Sequence, residues 1–182
     1  MGSEMCIRDS GVPALLVPEA QGGIGLNPLD AAIVAESLGA HITPSPFLGT
    51  AVMAPTALVA SGGNHDDLLA EIAAGTHRVG IAFSEAIKRR NDARVEARDS
   101  RLFGKSLFAF DAVADSYLVA DQNKHLYLVA AQDPGLTRTH LTTVDKTRRT
   151  VELTYDDVAA QCISTDVGVF ERVLDIGRVA IA

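Results

Sequence analysis

Three short segments of the chain combine residue types that can bind phosphate: glycines at positions 22, 23 and 25, a basic run at 88–90, and Gly104-Lys105-Ser106. The last of these matches the end of a phosphate-binding loop. That loop also needs a glycine where Asp99 stands and a helix after the serine, whereas residues 107–110 are expected to form a strand. Hydrolysis of a nucleoside triphosphate is therefore not expected.

The other two segments have simpler interpretations. The glycines follow Pro18 and allow backbone angles that other residues avoid, so they predict a tight turn. The run Lys88-Arg89-Arg90 is expected to be a solvated loop, with contact to a phosphate as the alternative. The five histidines have no metal-ligand spacing, and no metal site is expected. Cys6 and Cys162 predict no disulfide framework, which favours a reducing cytoplasm.

Composition is that of an ordinary globular protein of one or two domains, with 47% hydrophobic and 21% charged residues in 182. The formal net charge of −7 argues against nonspecific binding of nucleic acid. An uncharged apolar stretch of about 18 residues, as a membrane span requires, is not found. A secretory signal peptide is not expected either.

Residues 11–77 are expected to form an α-helical domain. Asn27 can cap a helix that has Pro28 in its first turn and ends near Gly39. Its apolar residues Leu29, Ile33, Val34 and Leu38 fall on one face. A second helix is expected from Ala51 to Ala60, and a third is expected to be capped by Asp66. Residues 1–10 have no periodic pattern and are expected to be a non-native leader.

From residue 78 to 163 short β-branched and aromatic runs predict a small antiparallel sheet domain. The clearest run is Thr150 to Tyr155, whose alternation puts Val151, Leu153 and Tyr155 on one face and polar side chains on a solvated outer face. Residues 164–182 are expected to be the first helix of a truncated C-terminal domain. The fold class is therefore α+β. The other expected strands are 79–83, 94–97, 117–120 and 126–130.

Several motifs occur together in an order that resembles the acyl-CoA dehydrogenase family. Val17-Pro18-Glu19 precedes a Gly-Gly-x-Gly-Leu turn and a helix with Glu36-x-Leu38-Gly39. Ile81 to Glu85 is similar to the family's strand that ends in Ser-Glu, and Ala114-Asp115-x-x-Leu118-Val119 matches another segment. Asp145 to Arg149 and Leu153 to Val158 are similar to the family's Asp-x-Thr-Arg and Val-x-Phe-x-Asp-Val. The resemblance runs from about Gly11 to Ala182.

The resemblance implies α,β-desaturation of an acyl-CoA with FAD as cofactor and an electron-transfer flavoprotein as electron acceptor. It implies oligomeric assembly, and it places the cofactor contacts at Phe83, Ser84, Phe108 and Phe110. The alternatives are that Ser84 is only a strand-end hydroxyl and that Phe108 belongs to the core of the sheet. The family's base is a Glu of the C-terminal domain. Glu171 is expected to be a structural carboxylate, so the chain as written is expected to be inactive.

Departures from the family pattern favour a second hypothesis, a non-catalytic partner subunit of a heteromeric complex. Ala86 stands where the family has Pro, and residues 87–92 replace the customary loop over the pyrophosphate. Phe110 stands where the family has a hydrogen-bonding Thr, and Asp111 where Asn is usual. These changes resemble family members that act on steroids and other bulky acyl-CoAs, some of which are heteromeric. An exposed apolar patch and poor solubility are also expected.

Overall fold

A computed structural model describes residues 10–87, 93–145 and 149–181 of the chain. Two compact units are present. The first comprises the residues up to Arg78 together with those from Glu171 onward, and the second comprises Val79–Phe170. Three segments with sequence-based expectations lie outside the described residues. They are the basic run Lys88–Arg90, residues 146–148 of the Asp-x-Thr-Arg motif, and residues 1–9 of the expected leader.

The described part of the first unit contains helices joined by loops and no strand. Two short 3-10 turns, Val12–Ala14 and Glu19–Gln21, precede helix α1. A π-helical segment, Phe47–Met53, runs directly into α2. The helices are α1 (Pro28–Ala40), α2 (Ala54–Ala60) and α3 (Asp66–Ala73), and the unit also contains the part of α5 (Val167–Val179) from Glu171 onward. Its most deeply buried side chains include Val17, Val52, Leu58 and Ile72.

The start of α1 is fixed by side chains, as the sequence predicts. The Asn27 side chain accepts a hydrogen bond of 2.9 Å from the Leu29 N–H, and Asp30 accepts one of 3.0 Å from the Asn27 N–H. These contacts satisfy two of the backbone donors that a helix N-terminus leaves open, and Pro28 in the first turn has no such donor to lose.

Burial in α1 does not follow its shared apolar face, and one detail of the helical prediction, the cap of α3, is wrong. Ala31 is the fully buried residue of α1, whereas Leu29 is 70% exposed and Ile33 is 60% exposed. Asp66 is the first residue of α3 and does not cap it; its own N–H is held by the Asn64 side chain at 3.3 Å. Periodicity gives the residues that share a face, but it does not tell whether that face is covered.

The described residues of the second unit form an eight-stranded sheet. The strands are β1 (Val79–Ala82), β2 (Val95–Arg98), β3 (Arg101–Phe110), β4 (Ser116–Ala120), β5 (Leu126–Ala130), β6 (Leu136–His140), β7 (Thr150–Ala159) and β8 (Gln161–Ser164). Their order is β6-β7-β3-β1-β4-β5-β8, and β2 pairs with β3. All pairs are antiparallel except β1 with β4, which is parallel. The fold class α+β is confirmed.

One face of β3 and β7 contributes to the core of the sheet. Val151, Leu153 and Tyr155 are buried in that core, as their alternation predicts. The expectation of a solvated opposite face is wrong, because Thr150 is buried and Glu152 and Thr154 are half-buried. Helix α4 (Ser84–Ile87) follows β1 and packs against β3. The four residues expected to contact a cofactor lie in or next to this part of the sheet.

Candidate functional site

The chain leaves β1 through Phe83 and Ser84, and the two residues have different environments. Phe83 is 4% exposed, and its ring lies 5.3 Å from the Phe170 ring, centroid to centroid, at an angle of 40°. That geometry is a favourable tilted aromatic pair, so the Phe83 side chain is part of the packing. Ser84 is half-buried and begins α4. Unlike the buried and apolar Phe83, Ser84 is a polar residue that is only half-buried.

A β-bulge in β3 sets the position of Phe108. Ser106 pairs with Leu153 and Ala109 pairs with Val151, so Leu107 and Phe108 together lie opposite the single residue between these partners. Phe108 has a φ of 56°, in the left-handed region that a bulky residue rarely adopts, and its side chain is 42% exposed. The alternative that Phe108 is a core residue of the sheet is wrong.

Register brings the two halves of the expected site together. Phe110 pairs with Ile81 of β1 on one side and with Thr150 of β7 on the other. Phe83 and Ser84 directly follow β1, and Phe108 lies two residues before Phe110 on β3. Phe110 is half-buried. The four residues expected at the site therefore come from the adjacent ends of β1 and β3.

Thr150 is a residue of this region that sequence reasoning placed on the solvated side. It is 9% exposed, and its Oγ1 has no hydrogen-bond partner among the described residues. An unpaired buried hydroxyl costs about 1 to 3 kcal/mol, so such groups are rare and call for an explanation. The alternation of β7 could have identified its face, but the burial of that face comes from the fold.

One ion pair lies on β3 and β7 near the site. Lys105 lies 2.6 Å from Glu152, Nζ to Oε1. Lys105 lies within β3, so the expectation that Gly104-Lys105-Ser106 is not a phosphate loop agrees with the strand observed there. Ser106 is fully buried and accepts a hydrogen bond of 3.2 Å from the Tyr155 hydroxyl.

A second charge cluster lies on β2. Glu96 pairs with both Arg98, at 2.5 Å, and Arg94. The hydrogen bond from Arg98 holds the pKa of the Glu96 carboxyl below its ordinary value, and the charge of Arg94 acts in the same direction. Arg98 also lies over the Phe103 ring, 5.5 Å from its centroid. The two arginines are thus engaged within the protein.

The turn after β3 is held by a buried tyrosine. The Tyr117 hydroxyl donates a 3.2 Å hydrogen bond to the Asp111 carbonyl, and burial raises the pKa of Tyr117. Asp111 has a φ of 67°, which aspartate tolerates better than most residues. This turn ends the strand that carries Phe108 and Phe110.

The described residues form neither a metal-binding cluster nor a membrane-spanning helix. Within residues 10–87, 93–145 and 149–181 no group of His, Cys, Asp and Glu side chains is arranged to hold a metal ion. Across the same part of the chain, none of the helices has both the length and the apolarity that a bilayer crossing demands.

Known proteins similar to this chain point to one family. No family model matches. The chain is 44% identical over 66 residues to the acyl-CoA dehydrogenase IpdE2 of Mycobacterium tuberculosis, a match that covers 36% of this chain and 20% of that protein. The solved structure of the steroid ACAD Tcur3481-Tcur3483 superposes with a TM-score of 0.80 at 24% identity, over 96% of this chain and 50% of that chain. The fold is that of the acyl-CoA dehydrogenases.

Two further solved structures superpose on this chain. The ChsE4-ChsE5 complex from Mycobacterium tuberculosis gives a TM-score of 0.77 at 22% identity, over 98% of this chain and 52% of that chain. A glutaryl-CoA dehydrogenase from Mycobacterium smegmatis in complex with FADH2 gives 0.74 at 17% identity, over 96% and 50%. The chain thus spans about half the length of these structures. The resemblance to acyl-CoA dehydrogenases drawn from the motifs is confirmed.

Proposed function

We propose that this chain is part of an FAD-dependent acyl-CoA dehydrogenase and that its sheet supplies one wall of the flavin site. The proposal rests on one observation above all, the exposed Phe108 ring on the bulge of β3. An exposed aromatic residue in a rare backbone conformation is unfavourable for stability alone, and such strain is concentrated at functional sites. A flat aromatic ring is a suitable surface for stacking the flat ring system of a flavin.

The residues around Phe108 fit such a group. Ser84 at the start of α4 offers a hydroxyl, while Phe110, two residues after Phe108 on β3, offers only apolar surface. Phe83 supports the region from the interior through its contact with Phe170. When bound, FAD would accept the hydride that leaves the β carbon of an acyl-CoA. The chain's own contribution would be to bind and orient the flavin, and we assign no catalytic base, with Glu171 kept as a structural carboxylate.

The finer details of the reaction are part of this proposal. The substrate class is an acyl-CoA thioester of fatty-acid or steroid catabolism, and the electron acceptor is an electron-transfer flavoprotein. The chain would act in a homo- or hetero-oligomer, and the similar ChsE4-ChsE5 structure is itself a complex of two different chains. The proposed setting is the cytoplasm, which suits the free and exposed thiol of Cys162. In the chain alone we propose no turnover.

The test is a titration of the 182-residue chain with FAD, followed by the quenching of flavin fluorescence. We expect saturable binding, and we expect Phe108→Ala to raise the Kd about tenfold because a stacking surface is lost. Phe103→Ala is the matched control, since Phe103 lies on the same strand and its ring is engaged by Arg98. Equal affinity for the parent and Phe108→Ala would contradict the proposed role of the ring.

A second candidate function is the non-catalytic partner subunit. The observation that favours it is Phe110, whose side chain cannot donate a hydrogen bond at the position where the family has Thr. Under this hypothesis the chain folds and associates with a homologous subunit but does not retain flavin. Absence of FAD binding by the parent chain, with normal thermal unfolding, would favour it over the enzyme hypothesis.

A further inference from the structure

Thr150 has an unusual combination of burial and missing contacts. Its side chain is more than nine-tenths buried, and its Oγ1 has no hydrogen-bond partner among the described residues. Buried hydroxyls almost always have a partner, because removing an unpaired polar group from water is unfavourable. If this side chain only filled space, a valine would serve as well as a threonine. The position therefore calls for a polar partner from outside the described chain.

The strand register shows which surface this hydroxyl shares. Val151, Leu153 and Tyr155 point into the sheet core, so Thr150 lies on the opposite face of β7. It pairs directly with Phe110 of β3. Side chains of directly paired residues are about 5 Å apart at Cβ and lie on the same face.

The bulge that carries Phe108 lies on the same stretch of β3, two residues before Phe110. An exposed ring, a second aromatic side chain and an unpaired hydroxyl thus occur together on neighbouring strands. Lys105 of β3 and Glu152 of β7 form an ion pair at 2.6 Å close to these residues. Neither of these charged groups is a hydrogen-bond partner of Thr150.

We propose that the Thr150 hydroxyl forms a hydrogen bond with a polar ring atom of the flavin that stacks on Phe108. This inference rests on the proposed function. A flavin ring carries nitrogen and oxygen atoms along its edge, and a threonine hydroxyl can both donate and accept. Thr150 would then supply from β7 the hydrogen bond that Phe110 of β3 cannot make. The site would differ from the family pattern in the strand that provides the hydroxyl while retaining a hydroxyl at this place.

The experiment compares the parent chain with Thr150→Val, which has nearly the same shape but no hydroxyl, and Thr150→Ser, which retains one. Thr154→Val is the control, because Thr154 is a half-buried threonine on the same face of the same strand. For each protein the Kd for FAD is measured by fluorescence quenching, and thermal unfolding is recorded without and with FAD. None of these readouts depends on turnover.

We expect Thr150→Val to raise the Kd for FAD about three- to tenfold, the effect of losing one hydrogen bond. Thr150→Ser should stay closer to the parent value, and Thr154→Val should match it. Without FAD, Thr150→Val should unfold at or above the parent temperature, since the change removes an unpaired buried hydroxyl. The stabilisation by FAD should be smaller for Thr150→Val than for the parent.

Two results would overturn the inference while leaving the proposed function intact. One is equal FAD affinity for the parent and Thr150→Val. The other is a lower unfolding temperature for Thr150→Val without FAD, which would show that the hydroxyl has a partner within the protein. Failure of the parent and every variant to bind FAD would instead overturn the proposed function, and the inference with it.

Discussion

At the residue scale, the site region contains one hydroxyl pair that is satisfied and one hydroxyl that is not. Tyr155 donates to the fully buried Ser106 on the core face, whereas Thr150 on the other face has no partner among the described residues. The sequence suggested none of this difference, because serine and threonine look alike in an alternating pattern. Burial decides it, and burial depends on strands that are distant in sequence.

The satisfied pair gives a prediction for stability. Ser106→Ala and Tyr155→Phe should each lower the free energy of unfolding by about 1 to 2 kcal/mol, because each leaves the other hydroxyl without this partner. The double variant should cost less than the sum of the two single changes. Urea denaturation of the four proteins provides the comparison. Strict additivity would show that the 3.2 Å contact has no energetic role.

At the element scale, the success of prediction followed the strength of each local pattern. The capping residues of α1 and the alternation of β7 identified real features. Strands β6 and β8 were missed, since each is short and its composition is largely polar, with residues 137–140 all exposed. Both lie at the ends of the strand order, where pairing on one side is enough to form a strand. Within β7, Asp157 has a φ of 58°, a backbone conformation that alternation alone does not predict.

The β2–β3 hairpin depends on a glycine. Gly104 has a φ of 107°, and a Cβ there would lie 2.1 Å from the Arg94 carbonyl oxygen. We expect Gly104→Ala to lower the free energy of unfolding by about 2 kcal/mol or more, since backbone must shift. Gly39→Ala in α1, with nothing within 4 Å of the added Cβ, should instead raise it by about 0.5 to 1 kcal/mol. Urea denaturation measures both; a neutral Gly104→Ala would contradict the close approach.

At the scale of the whole molecule, large apolar side chains are exposed in the first unit. They include Ile24, Leu26, Leu29, Ile33 and Ile42, with exposed fractions between 40% and 71%. Apolar side chains close in sequence and accessible to water favour association. The family resemblance gave no sign of which helix face would be exposed. The expectation of an exposed apolar patch stays a prediction about behaviour in solution.

Adding charge to the exposed face of α1 would test that prediction directly. Leu29→Lys with Ile33→Lys should reduce binding of the dye ANS and concentration-dependent association, with little change in unfolding temperature, because both side chains already face water. Val59→Lys is the control, since Val59 is 48% exposed but lies in another helix. Size-exclusion chromatography over a range of concentrations measures the result. Unchanged association of the double variant would show that another surface causes the association.

The path of the chain between β7 and β8 has a consequence for how the sheet opens. Only Ala160 separates these strands, yet β8 pairs with β5 while β7 pairs with β3 and β6, so the sheet must curl until its two ends approach each other. Ala160 is 8% exposed, and its N–H donates to the Ser100 carbonyl at 3.0 Å. Separation of β8 from β5 would therefore also displace the end of β7. Because Ala160 joins strands from near the two ends of the sheet, we expect the amide protons of the sheet to exchange as one cooperative unit.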